Sequence, residues 1–180
     1  MPVDFFIKAA FTPVIPIYGE LNELFGAKLF LPGLTFGIDI ITSRRAALNA
    51  GFELAYCAYL LNPAFSFKTG YENIIDGFYY AQDGIFFQDF NINVVLQKKF
   101  NKRKMAVSLR SGCGITFANG FGDYDRKHYK GHFNLGSSFL LLLYERFHLE
   151  TGADFSHITK SADKDASGLI KPKLALVWKF

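Results

Sequence analysis

The stretch Val3-Asp4-Phe5-Phe6-Ile7-Lys8-Ala9-Ala10-Phe11-Thr12-Pro13-Val14-Ile15-Pro16-Ile17 carries Val, Phe, Ile, Ala or Pro at every odd position. Its even positions include Asp4, Lys8 and Thr12. A period of two puts alternate side chains on opposite faces of an extended chain, so this stretch predicts a β-strand with one apolar and one mixed face.

The same period recurs along the chain. Leu34, Phe36, Ile38 and Ile40 oppose Thr35, Gly37 and Asp39; Leu48, Phe52, Leu54, Tyr56 and Leu60 oppose Asn49, Gly51, Glu53, Ala55 and Cys57. Phe90, Ile92, Val94 and Leu96 oppose Asp89, Asn91, Asn93 and Gln97, and Val107, Leu109, Ile115 and Phe117 oppose Ser108, Arg110, Gly112 and Gly114. Phe133, Leu135, Phe139 and Leu141 oppose Asn134, Gly136 and Ser138; Phe147, Leu149, Ala153 and Phe155 oppose His148, Glu150, Gly152 and Asp154. Ile170, Leu174, Leu176, Trp178 and Phe180 oppose Lys171, Lys173 and Ala175, which completes a prediction of eight strands. Ala46 to Leu61, rich in Ala and Leu, also admits a helix. Connections alternate between short ones near Ser43–Ala47, Lys98–Lys104 and Tyr144–Arg146 and long ones over Tyr18–Gly33, Asn62–Ile85, Ala118–Gly131 and His157–Gly168. Short turns on one rim and long loops on the other fit an up-and-down transmembrane barrel.

The 180 residues are 50% hydrophobic, with 21 Phe and 9 Tyr, and only 20% charged, below the roughly 25% of soluble domains. Yet apolar runs such as Phe139–Tyr144 fall far short of the roughly 18–20 residues of a membrane-crossing helix. Backbone polar groups in hydrocarbon must be satisfied internally, which leaves a closed barrel as the other way across. The expected organisation is one domain over residues 1–180. The opening Met1-Pro2-Val3-Asp4 lacks the features of a signal peptide, and the expectation is a mature chain whose leader has been removed. A net charge of +4 raises nucleic acid as a partner, but the basic residues gather in turns rather than on an aromatic-interleaved face, so none is expected.

A soluble lipocalin-like barrel also alternates, with its apolar side chains inside. Volume separates the two, because eight strands enclose only enough room for small side chains. The many Phe, Leu and Ile must face outward to lipid, while Gly37, Gly51, Gly112, Gly114, Gly136 and Gly152 suit the lumen. Lys8, Asp39, Glu53, Asp89, Arg110, Glu150, Asp154, Lys171 and Lys173 then form an expected lumenal charge network, which would close the lumen to a wide stream of ions.

The C-terminal run Leu174-Ala175-Leu176-Val177-Trp178-Lys179-Phe180 resembles the C-terminal β-signal recognised by the bacterial outer-membrane assembly machinery, with Leu174, Leu176, Trp178 and Phe180 in phase. The whole strand set resembles the small barrels of the OmpW, OmpX and OmpA transmembrane-domain type. That resemblance implies an all-β, eight-stranded antiparallel barrel in the bacterial outer membrane, with the lipid bilayer and the assembly machinery as partners and a monomeric state. Tyr18, Phe25, Tyr71, Tyr79, Tyr80, Tyr124 and Tyr129 above, and Tyr144, Phe147, Trp178 and Phe180 below, would form two aromatic girdles. Arg44, Arg45, Lys98, Lys99, Lys102, Arg103, Lys104 and Arg146 make the short-turn rim basic, which favours anionic headgroups.

Chemistry is sparse. Cys57 falls on the inward face and Cys113 on the outward face of non-neighbouring strands, so no disulfide is expected. No metal, nucleotide or other cofactor motif is present. His128, His132, His148 and His157 read as surface residues; an outer-membrane lipid hydrolase or acyltransferase would need His157 beside Ser156 or Thr159. Pro13, Pro16 and Pro172 fall on the two strands that close the barrel, where proline donates no ladder hydrogen bond. A seam weakened on its outer half would allow a lateral opening like that proposed for OmpW-like barrels. Phe65, Phe67, Tyr71, Phe78 and Tyr79 in the longest loop would roof an apolar pocket there. The leading expectation is therefore a non-enzymatic barrel that binds or passes small hydrophobic molecules. The alternatives are a structural or adhesive role through the long loops, and lipid hydrolysis or acyl transfer.

Overall fold

The computed structural model describes residues 3–19, 33–42, 48–61, 85–100, 104–119, 128–159 and 166–180. These residues form nine strands: β1 (Val3–Phe11), β2 (Ile15–Tyr18), β3 (Gly33–Thr42), β4 (Leu48–Leu61), β5 (Ile85–Phe100), β6 (Met105–Asn119), β7 (His128–Tyr144), β8 (Phe147–Ile158) and β9 (Ser167–Lys179). Each pairs antiparallel with its neighbours in one sheet, closed where β9 meets both β1 and β2. β1 and β2 are the lower and upper parts of a single stave, so the wall is an eight-stranded barrel. From Ile15, cross-strand partners run through Ile170, Phe155, Leu135, Ser111, Val94, Phe52 and Ile40 to Phe5. One circuit thus shifts the register from residue 15 to residue 5, the stagger that tilts the strands of a closed barrel.

Alternation is read directly in the burial. Phe52, Leu135 and Leu176 are 61–62% exposed on the outer wall, whereas Glu53, Arg110 and Glu150 are 2–3% exposed inside. At these mid-wall positions the acids and bases are buried and the large hydrophobics bare, the reverse of a soluble domain. The described part of that stretch is not helical: β4 occupies Leu48–Leu61 and pairs with β3 and β5 on its two edges, and this pairing overrides the helical propensity of its Ala and Leu. Strands also run further into the expected loops, β6 to Asn119, β7 from His128, β8 to Ile158 and β9 from Ser167. These four strands, of 12 to 17 residues, exceed the roughly 9–11 residues that a bilayer-crossing strand needs.

At the short-turn end Glu145 and Arg146 make a tight turn, with Glu145 in the left-handed region at φ 43°. The lower lumen holds an inner core of Phe6, Ile41, Val95, Ala106, Leu140, Ala175 and Val177. Strict segregation of apolar groups to the outside therefore fails at this level. Phe6, Ile41, Val95, Leu140 and Val177 each adjoin outward-facing apolar residues in sequence, so both faces of the wall are apolar here.

Candidate functional site

The barrel interior has three storeys. Lowest, beside the apolar core, Asp4 accepts from Lys99 Nζ at 2.5 Å and pairs with Lys179 Nζ at 2.8 Å. In the middle, Lys8 contacts Asp39 at 2.8 Å and also pairs with Glu53. Arg110 reaches Glu53 through Nε at 2.9 Å, pairs with Glu150, and donates to Ser138 Oγ at 2.8 Å. Lys173 lies 3.3 Å from Glu150 and 3.1 Å from Asp154. Asn93 donates to the other Glu53 oxygen at 2.8 Å. Ions out of water are tolerated when several partners share their desolvation, and both Glu53 and Arg110 have such a set. Gly37 makes room for this storey, since a methyl group there would strike the Lys8 side chain.

The upper storey is neutral apart from one ion pair: Lys171 donates to Asp89 at 2.5 Å and lies 5.7 Å from the centre of the Tyr59 ring. His132 bridges Thr116 at 2.9 Å and Asn91 at 2.6 Å. Asn134 donates to Asn91, and Ser156 to Asn134, at 2.6 and 2.5 Å. Thr35 donates to Thr12 at 2.8 Å beside the buried Cys57. A void of about 30 Å³, lined by Lys8, Thr35, Cys57, Asn91, Asn134 and Lys171 among others, has room for about two waters. All nine residues of the expected charge network thus face one interior, with Asp89 and Lys171 forming a pair above the rest. The sequence reading missed the apolar lower core and the Thr, Asn and His cluster. Adjacent apolar doublets and the run of Asn on β5 were the available signals.

Several expectations are corrected. His132 and His148 are buried inside the barrel rather than lying on its surface. Ser156 is buried and faces inward, while His157 faces outward, because neighbours on a strand point to opposite faces. His157 instead meets the Tyr18 hydroxyl at 2.6 Å, and Thr159 donates to the Gly131 carbonyl. The proposed Ser156–His157 and Thr159–His157 partnerships are therefore absent. Cys57 and Cys113 are both free thiols, one buried and one exposed.

The closing seam is interrupted rather than splayed over its outer half. β1 pairs with β9 from Phe6↔Lys179 to Phe11↔Leu174, and pairing resumes at Ile15↔Ile170 and Pro16↔Leu169 in the same register. Continuing that register across the gap sets Pro13 opposite Pro172, two residues without an N–H. Above the gap, the Tyr18 ring packs on Gly168, where a Cβ would collide with it, and reaches His157 on the next strand. Below it, Phe5, Phe180, Trp178 and Phe147 form an outward aromatic ladder with centroid spacings of 5.8, 5.1 and 5.5 Å. Phe180 N donates to Phe5 O at 2.9 Å, which ties the chain end into the wall. Tyr144, Phe147, Trp178 and Phe180 are exposed. In the upper girdle Tyr18 is exposed, whereas Phe25, Tyr71, Tyr79, Tyr80, Tyr124 and the Tyr129 side chain lie outside the described residues. So do Phe65, Phe67 and Phe78. An outward aromatic group on the upper wall, Tyr56, Phe90 and Phe117, had not been singled out; Phe90 lies 4.8 Å from Tyr56 and 5.5 Å from Phe117.

Comparison with models of known protein families gives no match, and comparison with curated protein sequences gives none either. Solved structures do match over nearly the full chain. Ail, the attachment invasion locus protein of Yersinia pestis, aligns at TM-score 0.58 and 11% identity, covering 99% of this chain and 97% of Ail. Neisserial surface protein A aligns at 0.56 and 12%, covering 99% and 97%. The outer membrane enzyme PagL aligns at 0.54 and 9%, covering 96% and 98%. Closed meander, outward apolar wall, charged lumen and these matches together define the class: the chain has the fold of the small eight-stranded outer-membrane β-barrels. Within that class the identities, at 9–12%, single out no one member.

Proposed function

We propose that this chain is a bacterial outer-membrane protein whose barrel anchors a binding surface built by its long connections, and that it passes no solute along its axis. One observation carries this reading: the lumen is filled by an apolar core, an ion network centred on Arg110 and a hydrogen-bonded polar cluster, stacked along one axis. With the interior so occupied, the remaining places for a partner are the outer wall and the long-loop rim. The connections at that rim, residues 20–32, 62–84, 120–127 and 160–165, include the aromatic-rich Phe65, Phe67, Tyr71, Phe78 and Tyr79. Aromatic side chains supply large contact area at low entropic cost, which suits them to recognition. A sealed barrel inserted into planar bilayers leaves their conductance at baseline. Trimming residues 62–84 removes partner adhesion while the heat-dependent shift in gel mobility survives. Stepwise channel openings by the unaltered chain would contradict the sealed lumen, and undiminished adhesion after trimming would contradict the rim.

A second reading rests on the interrupted seam. The gap of Thr12–Val14 beside Lys171–Lys173 lies at the height of the upper polar storey, so a small amphiphile entering from the loop side would leave sideways there rather than through the axis. The walls of that storey are mostly polar, which favours the rim over this path for a purely apolar molecule.

A further inference from the structure

Ser111 on β6, Ser137 on β7 and Thr151 on β8 turn their side chains outward from the middle of the wall, and all three are exposed. None of these hydroxyls has a hydrogen-bond partner among the described residues. A hydroxyl facing hydrocarbon with nothing to bond is costly, whereas the outward Leu109, Leu135 and Leu174 around them suit an acyl chain. Lipid contact alone leaves this polar group unexplained.

Strand pairing brings the three together. Across the β6–β7 edge Ser111 stands opposite Leu135 and Ser137 opposite Leu109, so the two serines are diagonal neighbours on one face. Across the β7–β8 edge Ser137 stands opposite Ala153 and Phe139 opposite Thr151, which makes Ser137 and Thr151 diagonal neighbours as well. Along a row of register partners the wall descends by roughly one residue per stave from β8 to β6, the stagger of the closed barrel. That descent offsets much of each diagonal step, so the three hydroxyls lie at nearly one height in the membrane. On the far side of the barrel the same height is bulky, with Phe36, Leu54 and Ile92 exposed on β3, β4 and β5.

We propose that this β6–β8 face docks a second copy of the chain, in place of the single copy that the resemblance implies, about a two-fold axis that runs along the membrane normal beside β7. Two copies inserted in the same orientation are related by such an axis, and it brings together residues of equal height. Ser137 then meets its own counterpart, and Ser111 on one flank meets Thr151 of the other copy, with the reverse pair on the other flank. A hydroxyl both donates and accepts, so each of these pairs is complementary, whereas an acyl chain offers neither function. Ala153 leaves a hollow at the height of Leu135, which the opposite copy's Leu135 fills.

The test uses the full chain with its exposed Cys113 replaced by alanine. One nitroxide is attached at Leu143→Cys, outward near the lower end of β7, or at Ile40→Cys on β3, the stave opposite β7. In phosphatidylcholine vesicles at high lipid dilution, dipolar coupling between copies is strong for the β7 label and absent for the β3 label. In a Ser111→Ala, Ser137→Ala, Thr151→Val variant the protein-to-lipid ratio for half-maximal coupling rises at least about tenfold, the loss expected for several hydrogen bonds made in a bilayer. That variant keeps the heat-dependent gel shift; should it fail to fold, the contrast between the two labels still decides. Absence of coupling at Leu143 would mean that lipid or another protein covers this face and would overturn the proposal, as would equal coupling at both labels or coupling indifferent to loss of the hydroxyls.

Discussion

At Arg110 three carboxylates converge, Glu53, Glu150 and, at 3.8 Å, Asp154. Removing a buried charge that several others depend on leaves them uncompensated, at a cost of about 3–5 kcal/mol. Arg110→Met therefore lowers barrel stability by that amount, followed by Trp178 emission during denaturant unfolding from vesicles. Asp39→Asn costs less, about 1–2 kcal/mol, because Lys8 retains Glu53 as a partner. Equal losses in the two variants would mean that Arg110 is not the hub. A period of two is enough to put Lys8, Glu53 and Arg110 on one face. It does not say which atoms meet, since Lys171 and Asp89 are 82 residues apart and are brought together only by the stagger of the closed wall. The histidines were illegible for a related reason: His132 and His148 sit in phase with the small polar face, but an isolated histidine carries no mark of burial.

At the scale of elements, the broken first stave is the informative case. Apolar residues or proline fill every odd position from Val3 to Ile17, yet pairing with β9 stops at Phe11 and restarts at Ile15, while Thr12 N still donates to Gly33 O on the other edge. Proline signals the interruption in the sequence. Its extent was not readable there, because that depends on Pro13 and Pro172 falling at the same register position. Pro13→Ala and Pro172→Ala each restore an N–H to the seam. In the combined variant, amide exchange at Thr12 and Val14 slows by at least about tenfold, as expected when roughly 1.4 kcal/mol of local opening free energy is added. Unchanged exchange would show that the prolines do not cause the gap. Tyr18 over Gly168 and Phe180 tied to Phe5 hold the seam on either side of it, so the same substitutions leave the gel shift intact.

For the molecule as a whole, fold was far more legible than function. Phe, Leu and Ile in numbers too great for a narrow cylinder determine which face meets lipid, and that follows from composition and period alone. Partner and ligand depend on the shape of the loop rim, which alternation does not encode. The lower apolar core was also hidden, because a doublet such as Val94-Val95 reads equally as one outward residue followed by drift. Everything rests on the outward direction of the apolar face, and β5 tests it along a single strand. Nitroxide labels placed one at a time from Phe90 to Gln97 in vesicle-inserted protein are scanned for collisions with oxygen, which concentrates in hydrocarbon, and with a water-soluble nickel complex. High oxygen accessibility at Phe90, Ile92, Val94 and Leu96, alternating with low values at Asn91, Asn93, Val95 and Gln97, is the predicted result; the opposite phase, or no alternation, would contradict the inside-out barrel.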